Sequence, residues 1–125
     1  MSKNKQRNAK LYLQDIEGSI SNISKYTKGL SFKSFVDDHK TIDAVVRNLE
    51  IIGEAVKNLP KEIKTKHADV PWNEICGMRN KAIHEYWGVD EEILWKTIKD
   101  DMPVLGRQIV KIKQESNSNL KKSNT

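Results

Sequence analysis

The feature that most restricts how this 125-residue chain can fold is a run of apolar residues that recur every three or four positions. These residues are Ile42, Val45, Leu49, Ile52, Val56 and Leu59. Such spacing forms one continuous apolar seam along an α-helix, whereas a β-strand would alternate apolar and polar residues every two positions. Pro60 disfavours helical geometry in the residue before it, so the sequence predicts a helix from about Ser34 to Leu59.

The rest of the chain shows the same helical period. Gly29 is expected to close the first helix, Asp90 to cap the fourth, and Pro103 to kink the fourth helix without ending it. Residues 61–70 form a polar connection. The predicted helices are Asn8–Thr27, Ser34–Leu59, Pro71–Tyr86 and Asp90 to about Ile109. The sequence therefore predicts an all-α, up-and-down bundle of four or five helices.

The second predicted helix has apolar character on another face as well. Ala44, Ile51 and Ala55 lie beside the seam. A helix that is apolar on two faces is usually covered by its own fold on one side and often by a second subunit on the other. This pattern predicts a homodimer.

The positive charge of the chain is concentrated at its ends. The net charge is +5, yet residues 1–10 carry four basic groups without an acid and residues 111–125 carry a net +3. The middle of the chain is therefore slightly acidic. We expect a basic N-terminal tail over residues 1–9, one helical domain over residues 10–112 and a disordered tail over residues 113–125. Such tails can hold RNA weakly, but more often they are only solvated.

Several classes of protein are disfavoured by what the sequence lacks. No apolar run approaches the roughly 18 residues that span a membrane, and no secretory signal is visible, so we expect a cytoplasmic protein without a membrane partner. The one cysteine, Cys76, cannot form an internal disulfide and is expected to be a small buried hydrophobe. The histidines, at positions 39, 67 and 84, are too scattered for a zinc site, so neither metal nor cofactor is expected.

The segment from Arg79 to Tyr86 has the residue types that chemistry requires. In a helix Arg79 shares the line of Ile75 and Ala82, where a permanent cation needs a carboxylate, a phosphate or a partner subunit. His84 can transfer a proton near neutral pH. Arg79 and His84 would lie about 140° apart on a straight helix. Either the helix unwinds before Gly88, or two copies of the segment meet across a two-fold axis.

The motif Arg-x4-His-x-Tyr, filled by Arg79, His84 and Tyr86, resembles the signature of the HepT-like toxins of the HEPN class. Three flanking segments resemble the family as well: residues 47–55 (RNLEIIGEA), residues 70–75 (VPWNEI), and residues 86–90 (YWGVD) followed by Trp95. The resemblance covers about Lys10 to Ile109. Several segments in the right order are far more specific than the short motif alone.

The resemblance implies an all-helical dimer with both motifs at the subunit interface. It also implies metal-independent cleavage of RNA and a partner, a small nucleotidyltransferase antitoxin. In some members of the family that antitoxin attaches AMP to the motif tyrosine, which here would be Tyr86. The Trp72, Trp87 and Trp95 side chains are interpreted as core or interface anchors.

The residues are suited to such a reaction. His84 would act as the base towards the 2′-hydroxyl of RNA, and Arg79 would bind the phosphate. Asn80 would orient the imidazole or the phosphate. Glu50 and Glu54, four residues apart, would support the site by pairing with Arg79 or Arg47, and Arg47 is expected to be a structural partner of a carboxylate on its own helix. The expected product end is a 2′,3′-cyclic phosphate.

Two other functions remain open at this point. The chain could be a non-catalytic binding subunit of a nucleotidyltransferase that modifies Tyr86, because the same motif serves both functions. It could instead bind a small ligand in the bundle core, although its polar groups cluster on the motif and not around an apolar pocket.

Overall fold

The computed structural model describes the backbone of residues 2–84 and 91–123 and the side chains of residues 8–78 and 91–115. Every secondary-structure element in these residues is helical, which confirms the predicted all-α class. The helices are α1 (Ser2–Thr27), α2 (Phe32–Val36), α3 (His39–Asn58), α4 (Lys61–Lys66), α5 (Trp72–His84), α6 (Glu91–Lys96) and α7 (Met102–Ser123), with a π-helical turn at Thr97–Asp101 that joins α6 to α7.

The predicted seam lies on the buried side of α3, which packs between α1 and α5 of the same chain. Its members are all buried, including Leu59 just beyond the helix end. The second apolar face is also largely covered within the subunit: Ala55 is buried, and Ala44 and Ile51 are half-buried. The chain's own packing thus covers the seam completely and the second apolar face in part.

The prediction of one helix from Ser34 to Leu59 was wrong, because Asp37 and Asp38 separate α2 from α3. The Asp38 carboxylate accepts hydrogen bonds from the Thr41 backbone N–H (3.1 Å) and the Thr41 hydroxyl (2.7 Å), and so caps α3. The break allows α2 to bury Phe35, whose ring centroid lies 4.9 Å from that of Trp95. Short polar side chains that bond to the nearby backbone compete with a continuous helix.

The other described boundaries agree with the predictions more closely. Gly29 ends α1 with a φ of +79°, the left-handed conformation that was expected. Pro103 does not end the predicted fourth helix, which corresponds to α6 and α7. The irregularity lies before Pro103, in the π-helical turn Thr97–Asp101. Met102, the residue after this turn, donates its backbone N–H to the Thr97 carbonyl. Trp72 and Trp95 are packed into the core, as predicted. Trp87 and Asp90 lie outside the described residues.

Helix extends through most of both segments that the sequence analysis assigned to tails. Helix α1 begins at Ser2, and α7 continues to Ser123. The two helices pack against each other, and the Lys113 ammonium lies 3.2 Å from the Glu17 carboxylate. Within the described part of the chain, no helix has the length and apolar character needed to cross a membrane.

Candidate functional site

The predicted catalytic residues lie on α5, whose position is set by its packing against α3. Trp72 and Ile75 are buried, and the Trp72 indole N–H donates to the His67 carbonyl at 2.9 Å. The Cys76 thiol, half-buried rather than fully buried as expected, lies 3.7 Å from the Gly53 carbonyl oxygen of α3. The backbone of Arg79, Asn80 and His84 is helical; their side chains and the whole of Tyr86 lie outside the described residues.

The contact between Cys76 and Gly53 also sets the register of the two helices. Helix α5 starts beside the end of α3 and packs along it, so the helices run antiparallel. Arg79 lies three residues after Cys76 on α5, and Glu50 lies three residues before Gly53 on α3. The backbone of Arg79 is therefore level with Glu50. Around the helix axis, the Cα of Arg79 lies about 40° from the Cα of the buried Ile75. Arg79 is therefore on the side of α5 that faces the core.

His84 lies on a different side of the same helix. Helix α5 continues through His84, so the two Cα atoms are about 140° apart around the axis and about 7.5 Å apart along it. An unwound turn after His84 would leave its own Cα in place. Within the described backbone, Arg79 and His84 therefore lie on different sides of α5.

The outer face of α5 is open where it is described. Asn73, Gly77, Asn80 and His84 fall on one stripe of this face, because they are spaced four, three and four residues apart. Asn73 is exposed, and a Cβ added to Gly77 would meet no atom within 4 Å. Gly77 is half-buried, and no described side chain would contact a Cβ added there, so a glycine at this position leaves room for the close approach of another chain.

The supporting residues predicted on α3 line a shallow cleft of about 290 Å³ on its exposed side. The Arg47 guanidinium lies 3.4 Å from the Glu50 carboxylate, which confirms that Arg47 pairs with a carboxylate of its own helix. The Arg47 side chain is 72% exposed, so this ion pair contributes little to stability. Glu54 lies further along the cleft, where its carboxylate accepts a hydrogen bond from Asn58 at 3.5 Å.

The cleft also contains residues that the sequence analysis did not single out: Tyr12 and Asp15 of α1, and Asn58. Asn58 continues the spacing of Arg47, Glu50 and Glu54, and that spacing could have identified it. Tyr12 and Asp15 have no comparable signal, because only the packing of α1 against α3 brings them there. Among the side chains that the structure describes, no group of three or more His, Cys, Asp or Glu residues is placed to hold a metal ion.

Comparison with known proteins gives a consistent result. The family model described as "Ribonuclease HepT-like" matches residues 16–112. A protein of Caldanaerobacter subterraneus subsp. tengcongensis, provisionally named an RNase, is 51% identical over 83% of this chain and 93% of its own length. The "Probable ribonuclease HepT" of Thermococcus cleftensis is 46% identical over 86% of this chain and 98% of its own. A protein of Methanocaldococcus jannaschii, also provisionally named an RNase, is 40% identical over 85% and 91%. No solved structure matches the chain.

Proposed function

The chain belongs to the HepT-like family of ribonucleases, and from this membership we propose that it is the toxin of a toxin–antitoxin pair and a metal-independent endoribonuclease. The observation that carries the proposal is the position of the family motif on α5, with its Arg79 and His84 Cα atoms on different sides of a regular helix. Two copies of the bundle meet across a two-fold axis near the C-terminal end of α5, with the Gly77 stripe at the edge of the contact. The RNA phosphate then lies between His84 of one subunit and Arg79 of the other.

The reaction uses the nucleophile that RNA itself supplies. A neutral imidazole nitrogen of His84 takes the proton of the 2′-hydroxyl, whose oxygen attacks the adjacent phosphorus. The bond from phosphorus to the 5′-oxygen breaks, and that oxygen takes a proton from water. The products are a 2′,3′-cyclic phosphate and a 5′-hydroxyl. The Arg79 guanidinium neutralises charge that develops on the non-bridging oxygens, and the Asn80 amide orients the imidazole.

Glu50 acts as a positioning residue in this proposal, because its place on α3 is level with Arg79 of α5. Its side chain is only 27% exposed, and the ion pair that it makes with the exposed Arg47 is weak. The Glu50 carboxylate can therefore accept a bond from the guanidinium of Arg79. Glu54 provides a second carboxylate in the same cleft.

Control by an antitoxin completes the proposed function in the cytoplasm. A nucleotidyltransferase partner transfers AMP from ATP to Tyr86: the phenol oxygen attacks the α-phosphorus and pyrophosphate leaves. Tyr86 follows His84 by two residues in the sequence. A bulky, negatively charged nucleotide at this position excludes the RNA phosphate from the site.

The decisive experiment measures RNA cleavage by the purified protein in EDTA, with analysis of the product ends. We expect His84→Ala to lower the rate about 100- to 10,000-fold, as is usual when a general base is removed. His39→Ala is the matched control, since His39 is an exposed histidine at the start of α3 and should leave cleavage unchanged. Equal rates for the wild type and His84→Ala would overturn the proposed mechanism.

The second candidate, a non-catalytic subunit whose Tyr86 receives a nucleotide, is favoured by charge. Outside the basic residues near the chain ends, the chain is acidic, which disfavours RNA. Absence of cleavage by wild-type protein that mass spectrometry shows to be unmodified at Tyr86 would support this second function.

A further inference from the structure

The antiparallel packing of α1 and α7 brings the two ends of the chain to the same end of the bundle. The contact of Glu17 with Lys113 places the start of α1 beside the last turns of α7. Helix α4 joins them there, because the His67 imidazole that follows it lies 3.4 Å from the Glu115 carboxylate of α7. Asn58, at the end of α3, lines the same cleft as Tyr12 of α1. Three separate stretches of sequence therefore converge.

We call these stretches the basic pole and define it as residues 2–10, 57–66 and 111–123. It contains twelve lysines and arginines against two glutamates, a net of +10, so the remainder of the chain carries −5. The basic residues are Lys3, Lys5, Arg7, Lys10, Lys57, Lys61, Lys64, Lys66, Lys111, Lys113, Lys121 and Lys122. The sequence shows two basic ends, and the packing of α1, α4 and α7 brings the backbone of both ends beside the lysines of α4 at one end of the bundle.

The described lysines of the pole are available to a ligand. Lys57, Lys61, Lys66 and Lys111 are exposed, and none of them forms an ion pair with a described side chain. Lys64 is half-buried, and Lys113, which is also half-buried, pairs with Glu17. Like charges on one surface repel each other, and bound phosphates relieve that repulsion.

We propose that the basic pole is a docking surface for RNA that holds the substrate strand at a distance from the cleavage motif. This inference rests on the proposed function. It commits to RNA because phosphates spaced along a flexible strand complement lysines spread over α1, α4 and α7. The register of α3 and α5 places the backbone of His84 level with Val45. Val45 precedes Lys57 of the pole by twelve residues on α3, so His84 and Lys57 are about 18 Å apart along the bundle axis.

The distance between the basic pole and the motif has a measurable consequence, because a short RNA cannot contact both of them. A long strand gains the phosphate contacts of the pole, whereas an RNA of a few nucleotides contacts the motif alone. The pole should therefore raise affinity for long RNA and make that affinity more sensitive to salt. The cleavage rate of a short RNA should not depend on the basic pole.

The test measures binding of RNA by fluorescence anisotropy as salt is raised from roughly 50 to 200 mM. The ligands are 2′-O-methylated strands of about 30 and about six nucleotides, which lack the nucleophile and stay intact. The pole variant combines Lys57→Gln, Lys61→Gln, Lys66→Gln and Lys111→Gln. The matched control combines Lys25→Gln, Lys33→Gln, Lys40→Gln and Lys96→Gln, which removes the same charge from exposed lysines elsewhere. Glutamine has nearly the helix propensity of lysine, and circular dichroism verifies the fold.

We expect the pole variant to bind the long strand at least about tenfold more weakly at low salt, with a salt slope lower by about 0.7 for each lost phosphate contact. The control variant should keep the wild-type slope, and the short strand should bind all three proteins alike. Equal weakening by both variants would overturn the inference, because only net charge would then matter. Wild-type RNA binding by the pole variant, together with loss of binding to anionic vesicles, would overturn it in favour of a membrane surface.

The two proposals can fail separately. If His84→Ala abolishes cleavage while the pole variant binds long RNA like the wild type, only the docking surface is wrong. If the wild type does not cleave RNA while the pole variant loses affinity and slope as expected, the proposed catalytic function is wrong and the docking surface stands.

Discussion

Helices α3 and α5 pack side by side, yet they contribute differently to the molecule. Helix α3 is covered by α1 on one side and by α5 on the other, and its seam is buried from Ile42 to Val56. In its described side chains α5 is buried only at Trp72 and Ile75, and it carries Arg79 and His84 of the family motif. The difference indicates that α3 supplies stability, while the proposed chemistry lies on a helix with one face left open.

The largest effect on stability is expected for a substitution in the buried seam of α3. Ile52→Ala removes a fully buried side chain of α3 and should lower the free energy of unfolding by about 2–5 kcal/mol. Ile93→Ala is the control, because that side chain is 61% exposed on α6 and should change the same quantity by less than about 0.5 kcal/mol. Urea unfolding followed by circular dichroism measures both. Similar losses in the two variants would contradict the assignment of the core to α3.

A substitution on the outer face of α5 should have a smaller effect on stability, and it should change stability and function in opposite directions. Gly77→Ala adds a methyl group where no atom lies within 4 Å, so it should raise the free energy of unfolding of the monomer by about 1 kcal/mol through helix propensity. The proposed approach of a second α5 would be obstructed, so we expect weaker self-association and slower RNA cleavage. Sedimentation velocity and the cleavage assay measure these two quantities.

Gly18 provides the matched control for that substitution. It lies in the interior of α1, and a Cβ there would also meet no atom within 4 Å. Gly18→Ala should stabilise the protein by a similar amount, with self-association and cleavage unchanged. If Gly77→Ala retains wild-type association and cleavage, the outer face of α5 is not the subunit interface.

The smallest effect concerns the start of α3 and depends on pH. Hydrogen bonds from the Thr41 hydroxyl and then the Thr41 backbone N–H lower the pKa of Asp38 below its ordinary value of 3.8. Because the folded-state pKa is lowered, the cap stabilises the protein above the unfolded-state pKa and its contribution is lost as pH falls through the lowered value.

Asp38→Asn tests this contribution, since asparagine can still cap the helix but does not titrate. The variant should show a smaller fall in melting temperature between about pH 5 and pH 2 than the wild type. Asp37→Asn, at the exposed neighbouring position, should melt with the wild-type pH dependence. An unchanged pH dependence in Asp38→Asn would show that the Thr41 hydrogen bonds do not stabilise the charged form.

Much of the fold could be predicted because helical periodicity is a local property. The seam from Ile42 to Leu59 and the left-handed Gly29 were both identified correctly. The break at Asp38 was missed, because it depends on a side-chain hydrogen bond that competes with an otherwise continuous pattern. For the site, the sequence predicted that Arg47 pairs with a carboxylate of its own helix, and the structure identifies that carboxylate as Glu50. The predicted roles of Arg79, Asn80, His84 and Tyr86 remain predictions.

The sequence by itself determined the all-helical class, the order of the motif residues along the chain, and the family to which the chain belongs, since each depends on residues close together in the sequence or on their order. Only the tertiary structure decided that Arg79 is level with Glu50, and that α1, α4 and α7 bring their basic residues to one end of the bundle. Both depend on the direction and register of helix packing. These are set by contacts between distant residues, such as Cys76 with Gly53 and Lys113 with Glu17, which no local pattern encodes.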